Sequence, residues 1–330
     1  MTWVAWRQYR LQGAIALALL AAFAAAELTT GFQMAAAWHS LLRTCAAPQQ
    51  GQPGACSGNG IVGVLGNDLR VLSVLVPALA GMLLGAPLVA HEIETGTTSF
   101  AWTQGITRTR WLLVKTGWLL LAAAVCGGAV SALVTFWSGP VNAMRADQFS
   151  GNFFDTQGLV PAAYAVFATA LGIAAGALLR RTLPAIAVTA GVFIAVRVLI
   201  ADQLRPHLMP AVTTVTSMTS TWSPPGIAWV FGGNVISRSG QVLTSNIGVN
   251  GVPLTAACAK LLPASPATAD RSDPAGAALS CMQSAGFRQA VTYQPAWRYW
   301  PFQGIETGVY LLLAAALVAV AWYALRSRDA

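Results

Sequence analysis

The densest chemistry in the chain lies in one run, His91-Glu92-Ile93-Glu94-Thr95-Gly96-Thr97, continued through Trp102-Thr103-Gln104 to Arg108, Arg110 and Lys115. It gathers two of the 11 acids and three of the 19 bases in a sequence where only 9% of residues are charged. Gly96 breaks the helix arriving at Glu94, and Thr97 to Gln104 forms a short helix that Gly105 ends. Thr107 then supplies the N-cap of the next helix. The product is a folded-back elbow presenting Glu92, Glu94 and a compact turn; read from the residues alone, a solvated connector is equally open.

A second set comprises Glu27, Arg197 and Glu306, ionisable groups inside long apolar runs, where such residues are usually paired or functional. A Glu27–Arg197 or Arg197–Glu306 ion pair is one expectation, and separate snorkelling to the interface is the other. No succession of acids or histidines suggests a proton relay. The cysteines form a third set: Cys45 with Cys56, Cys258 with Cys281, and Cys126 alone. Two local disulfides are the simplest pairing, although crossed connectivities stay open, and Cys126 beside Gly127 and Gly128 is a packing residue. Metal chemistry is not expected, since there is no Cys-x-x-Cys pair and the 3 histidines are scattered. Catalysis by an embedded transferase would have to use Asp202, His207, Asp270 and Asp273, whose spacing matches no known constellation. No G-x-x-x-x-G-K-[ST] is present, and neither lysine follows a glycine, so ATP binding is not expected.

The elements that position these groups are membrane helices. The chain has 330 residues, 55% of them hydrophobic, with a mean hydropathy of +0.58. So few charges cannot cover a water-soluble globule, which excludes a soluble enzyme, a disordered chain and a coiled coil. The net charge of +8 is assigned to arginines facing anionic lipid, not to nucleic-acid binding. Six runs are long enough to span: 11–37, 69–90, 112–137, 160–179, 183–201 and 304–325. With the N-terminus inside, nine bases (Arg7, Arg10, Arg108, Arg110, Lys115, Arg180, Arg181, Arg326 and Arg328) face the cytoplasm. Arg43, Arg70 and Arg145 lie in the short outer loops, so both termini are placed in the cytoplasm. Trp3, Trp6 and Tyr9 beside Arg7 and Arg10 read as a short interfacial helix, or as an aromatic belt on the first span.

The same topology puts Glu27, Arg197 and Glu306 at one outer level and both cysteine pairs in the oxidising compartment. Gly81-x-x-x-Gly85 and Gly172-x-x-x-Gly176 permit close helix packing, within the chain or at a dimer interface. Residues 202–300 form a Gly/Pro/Ser/Thr-rich insertion too long to lack structure. Within it, Val249-Asn-Gly-Val252 suggests a hairpin turn and residues 274–291 have helical character. Pro295 to Phe302 is an aromatic anchor at the interface.

Glu92-Ile-Glu94-x-Gly96-Thr97 followed by Thr103, Arg108, Trp111 and Lys115 resembles the loop after the second span in permeases of ABCG-like, type V ABC transporters. The opening Trp3-x-x-Trp6-Arg7-Gln8, Phe100-Ala-Trp-Thr-Gln104 and Pro301-Phe-Gln-x-Ile-Glu306 are similar to the actinobacterial group. The sequence departs from that group at His91, where Arg or another charged residue is common, and in its larger outer insertion. The resemblance implies six spans, a cytoplasmic entry helix, and an elbow that couples to a separate ATPase subunit through Glu92, Glu94, Gly96, Thr97, Trp102, Thr103 and Gln104, with the acidic pair meeting that subunit or anchoring the elbow to neighbouring helices. It implies no cofactor on this chain, ATP and Mg being held by that partner, and a second permease chain in the complete unit.

The expected fold is therefore an all-α polytopic membrane protein of six helices with a small disulfide-bonded extracellular subdomain between helices 5 and 6. Residues 1–201 carry helices 1–5 and the elbow (91–112), 202–300 the subdomain, and 301–330 helix 6 with a short tail. The expected function is the permease of an exporter for a hydrophobic or amphipathic substrate in a bacterial plasma membrane. A membrane sensor or immunity protein is the alternative reading, ahead of an embedded transferase.

Overall fold

The computed structural model describes residues 14, 18, 21–33, 35–36, 39, 79, 81–94, 108–145, 149, 151–218, 228–244, 248–249, 252–262 and 274–327. The chain divides into two compact units. The first comprises residues 1–145, 150–208 and 300–330, and the second residues 146–149 and 209–299.

The first unit is helical. Its elements are α1 (21–33), α2 (81–94), α3 (Arg108–Arg145), the short α4 (Gly151–Phe154), α5 (Val160–Leu179), α6 (Thr182–Leu199) and α9 (Tyr299–Ser327). Among the described residues, four helices are long and apolar enough to cross a membrane: Leu113–Gly139, Val160–Leu179, Thr182–His207 and Ala296–Arg326. The interfacial segment at Trp3 to Arg10 lies outside the described residues, as do parts of the first two expected spans, among them residues 69–78. What is described of them, residues 21–33 and 81–94, is helical.

Helix α5 is the axis of this unit. In its apolar stretch 83% of residues are buried, against 22–28% in the other three long helices. Ala and Gly dominate its surface, so neighbouring backbones come close. A Cβ on Gly172 would stand 2.4 Å from the carbonyl oxygen of Gly81, and one on Gly85 would stand 2.6 Å from that of Thr169. The two small-residue motifs of the sequence thus face each other inside one chain, α2 against α5. Here α2 opens as a π-turn, Gly81–Gly85, two residues ahead of Pro87, whose missing N–H and ring bulk disrupt the regular ladder. At its far end α5 stops on Arg180, held in the left-handed region at φ 54°, with its N–H bonded to the carbonyl of Gly176.

Helix α6 outruns the expected span. Past Leu199 it continues through a π-turn, Ile200–Leu204, and a 3-10 turn, Arg205–His207. Residues 202–208 therefore belong to the helical unit, because the buried side of this helix carries on to Ile200 and Arg205.

The second unit corrects the all-α expectation. It carries β1 (Val212–Ser217), β2 (Trp229–Ile236) and β5 (Arg288–Gln294) in one antiparallel sheet ordered β1-β5-β2. The alternating Val-Thr-Thr-Val-Thr-Ser of β1 supplies the period of two that such a sheet needs. The hairpin β3 (Gly248–Val249) and β4 (Val252–Pro253) pairs Val249 with Val252. Helices α7 (Ala256–Ala259) and α8 (Pro274–Ser284) complete it. The helical stretch expected over 274–291 ends at Ser284: Gly286 turns at φ +84° and the chain becomes β5. A disulfide joins Cys258 and Cys281 across a Cα–Cα distance of 5.7 Å, beside a core of Met218, Val235, Leu254, Leu279 and Met282.

Candidate functional site: a buried charge cluster and the foot of the elbow

Two ends of the helical unit carry its chemistry. At one end, the link from α3 to α5 folds inward instead of looping out: Phe153, Phe154, Asp155, Thr156 and Gln157 are all buried. Polar side chains hold it there. Ser131 of α3 donates to the carbonyl of Gly158 at 2.8 Å, and the Gln157 amide donates to the Ser138 hydroxyl at 2.7 Å. The side-chain oxygen of Gln303 on α9 accepts from the N–H groups of Leu159 and Val160, each at 3.0 Å, where α5 begins. Those amides have no partner within their own helix, so Gln303 caps α5 from a different helix. Its amide nitrogen also donates to the carbonyl of Phe154 at 2.9 Å. Gly158 sits at φ +78°, and a Cβ there would meet Gln303 at 2.7 Å, so both its conformation and its space require glycine.

This scaffold delivers Asp155 to a cluster with Tyr164 of α5, Arg197 of α6, Arg205 on the 3-10 turn beyond it and Glu306 of α9. Arg205 grips Glu306 with two bonds, Nε to Oε2 and Nη2 to Oε1, both 2.8 Å. Its Nη2 also donates to Asp155 Oδ1, while Arg197 Nη2 donates to Asp155 Oδ2 at 2.8 Å. The Tyr164 hydroxyl lies 2.8 Å from Glu306 Oε1 and 3.1 Å from Asp155 Oδ1. One hydroxyl hydrogen can serve only one of these carboxylates at a time. Arg205 stacks 4.3 Å above the Phe154 ring, and Arg197 lies 5.2 Å from the centre of Tyr164. Two guanidinium groups balance two carboxylates, so the cluster is neutral, with Glu306 at 0% exposure and Arg205 at 3%. Such an arrangement clamps four chain segments together; it offers no activated nucleophile.

The expected ion pairs are rearranged in this network. Arg197 and Glu306 both belong to it, but Arg197 pairs with Asp155 and Glu306 with Arg205. Glu27 is buried on α1 and is not among the five residues bonded in the cluster. Near it, Trp137 of α3 donates to the Thr30 hydroxyl at 3.1 Å, so the polar notch of the first helix is a packing contact. Sequence reasoning misses Asp155 and Arg205, because the one reads as loop and the other as part of the insertion. The scarcity of acids, 11 in the chain, is the available signal for Asp155.

At the other end stands Glu94, the last residue of α2. Its Oε2 accepts from the Thr182 hydroxyl at 2.7 Å and from the Thr182 N–H at 3.2 Å. Thr182 is the first residue of α6, and Arg181 before it makes no side-chain cap, so Glu94 fills that place from outside. The Thr182 hydroxyl bond, then its N–H, hold the Glu94 carboxyl below its ordinary pKa; slight desolvation opposes this, and His91 and Arg181 add to it. Glu92 lies on α2, while Gly96, Thr97, Trp102, Thr103 and Gln104 lie outside the described residues, as do Cys45 and Cys56. Among the described residues no group of three His, Cys, Asp or Glu is placed to hold a metal ion.

No curated protein and no solved structure matches the chain. Residues 17–205, more than half of it, match the family model described as ABC-2 membrane transporter related. The match takes in the elbow, Glu94 with Thr182, and Asp155, Tyr164, Arg197 and Arg205 of the cluster. With its apolar helices, this makes the chain a multi-pass membrane protein and supports an ABC-2 type permease, a class of component that is generally not itself an enzyme. The chain belongs to the ABC-2 membrane transporter related family.

Proposed function

We propose that the chain is the permease subunit of an ABC exporter, driven by ATP hydrolysis in a separate subunit and acting as a pair of permease chains. In this reading it is of the ABCG-like, type V kind, both termini are cytoplasmic, the second unit is extracellular, and the membrane is a bacterial plasma membrane. The elbow from His91 to Leu112 takes the push of the ATPase. Apolar helix surfaces with few polar groups suit a hydrophobic or amphipathic substrate.

The observation that carries the proposal is the Glu94–Thr182 contact at the foot of the elbow. It fastens the elbow to the first turn of α6, and α6 with its continuation runs about 35 Å to Arg205 at the helical rise of about 1.5 Å per residue. A displacement of the elbow by a docked ATPase is thereby delivered to a long helix, not absorbed in a slack loop. The test is ATP-driven substrate movement in vesicles holding the chain and its ATPase. Glu94→Ala is expected to lower transport per ATP hydrolysed while the protein still inserts. Unchanged coupling in that variant would count against the elbow assignment, and association with the ATPase but no substrate movement would favour a sensor.

A further inference from the structure

Burying four ionised side chains costs desolvation that their attraction barely returns, and well-packed apolar residues hold helices together at least as well. What an ion cluster adds is a contact with two states, strong while dry and weak once water enters. Three features of this cluster fit such a use. Its members come from four segments, the α3–α5 link, α5, the end of α6 and the start of α9, which it ties to one another at this end of the bundle. Arg205, which joins both carboxylates, stands beyond the regular part of α6, after a π-turn, where the backbone departs from the α-helical ladder. Finally, the Tyr310 hydroxyl, one turn along α9 from Glu306 and at 0% exposure, has no hydrogen-bond partner in this conformation. An unmatched buried donor beside a charge network is a group prepared for another arrangement.

We propose that Asp155, Arg205 and Glu306 form a latch that holds the outer ends of α5, α6 and α9 together in the closed state and must part for that end of the bundle to open. The proposal rests on the permease reading, which supplies the need for a path that opens outward. The latch lies at the opposite end of α6 from the Glu94 contact, so the elbow and the latch act on one helix.

The test places single cysteines at Ala163, next to Tyr164, and at Ala174, further along α5; both positions are 2% exposed. Cys45, Cys56 and Cys126 are replaced by alanine in this background. Labelling by a water-soluble maleimide is followed in the full chain, reconstituted in nanodiscs without nucleotide. Arg205→Met with Glu306→Gln removes the latch and leaves the neutral Asp155–Arg197 pair. Labelling at Ala163→Cys is expected to rise at least about tenfold in this double variant, with Ala174→Cys unchanged. Unchanged labelling at Ala163→Cys overturns the latch, leaving the cluster a static clamp. An equal rise at both positions overturns it too, since the whole bundle has then loosened. Because no nucleotide is used, absence of an ATPase partner would refute the permease reading without touching this result.

Discussion

Replacing Arg205 by Met keeps much of its length over the Phe154 ring but deletes three charge-assisted bonds. The residues left behind are not equal. Asp155 keeps Arg197 at 2.8 Å, whereas Glu306, at 0% exposure, keeps only the Tyr164 hydroxyl. A buried carboxylate stranded in this way costs about 3–5 kcal/mol, the usual loss on breaking one side of a buried ion pair. Adding Glu306→Gln removes the stranded charge, and the amide can still bond Tyr164. The double variant should therefore recover most of the loss, to within about 1–2 kcal/mol of the parent. The assay is unfolding in detergent micelles, followed by tryptophan fluorescence, for the four members of the cycle. A loss below about 1 kcal/mol for Arg205→Met would refute the reasoning, as would a double variant less stable than either single one.

Gln303→Leu should cost about 2–4 kcal/mol in the same assay, since it removes the side chain that bonds two N–H groups at the start of α5 and the Phe154 carbonyl. Gly172→Val should lose about 1–3 kcal/mol or more and lower the folded yield, whereas Gly128→Ala, whose added Cβ would have nothing within 4 Å, should be neutral; equal yields would contradict the α2–α5 packing. The Glu94–Thr182 contact should depend on pH. Because the folded-state pKa of Glu94 is depressed, its contribution is present above the usual carboxylate value of about 4.3 and fades as pH falls through the lowered one. The stability difference between the parent and Glu94→Gln should follow that course, and a difference that grows on acidification would contradict it.

How much of the structure is legible in the sequence depends on the range of the interactions involved. Apolar runs near 20 residues announce helices by themselves, so α5 is placed to the residue, while α3 and α9 extend past the runs 112–137 and 304–325 at both ends. Gly81, Gly85, Gly172 and Gly176 signal close packing, though not that each motif is the other's partner. Arg197 and Glu306 stand out as charges in apolar surroundings. Their partners do not, because Asp155 lies in a connector that only tertiary bonds from Gln303 and Ser131 pull inward. Arg205-Pro206 looks like the start of a loop because a π-turn has no period that a sequence pattern reveals. The sheet of the second unit is hidden for a similar reason. Its central strand β5 follows directly on a helix, and its pairing with β1 and β2 is set by residues 50 or more positions away.

The most direct test of the account is purification of the affinity-tagged chain from its own membrane, with ATP hydrolysis measured on the product. The account predicts that a nucleotide-binding subunit accompanies the chain and hydrolyses ATP. Replacing Thr97 to Gln104 with a Gly/Ser stretch should remove both the subunit and the hydrolysis, while the helical unit unfolds at the same temperature. A folded chain that carries no such subunit, or one that keeps it after the elbow is replaced, would contradict the account.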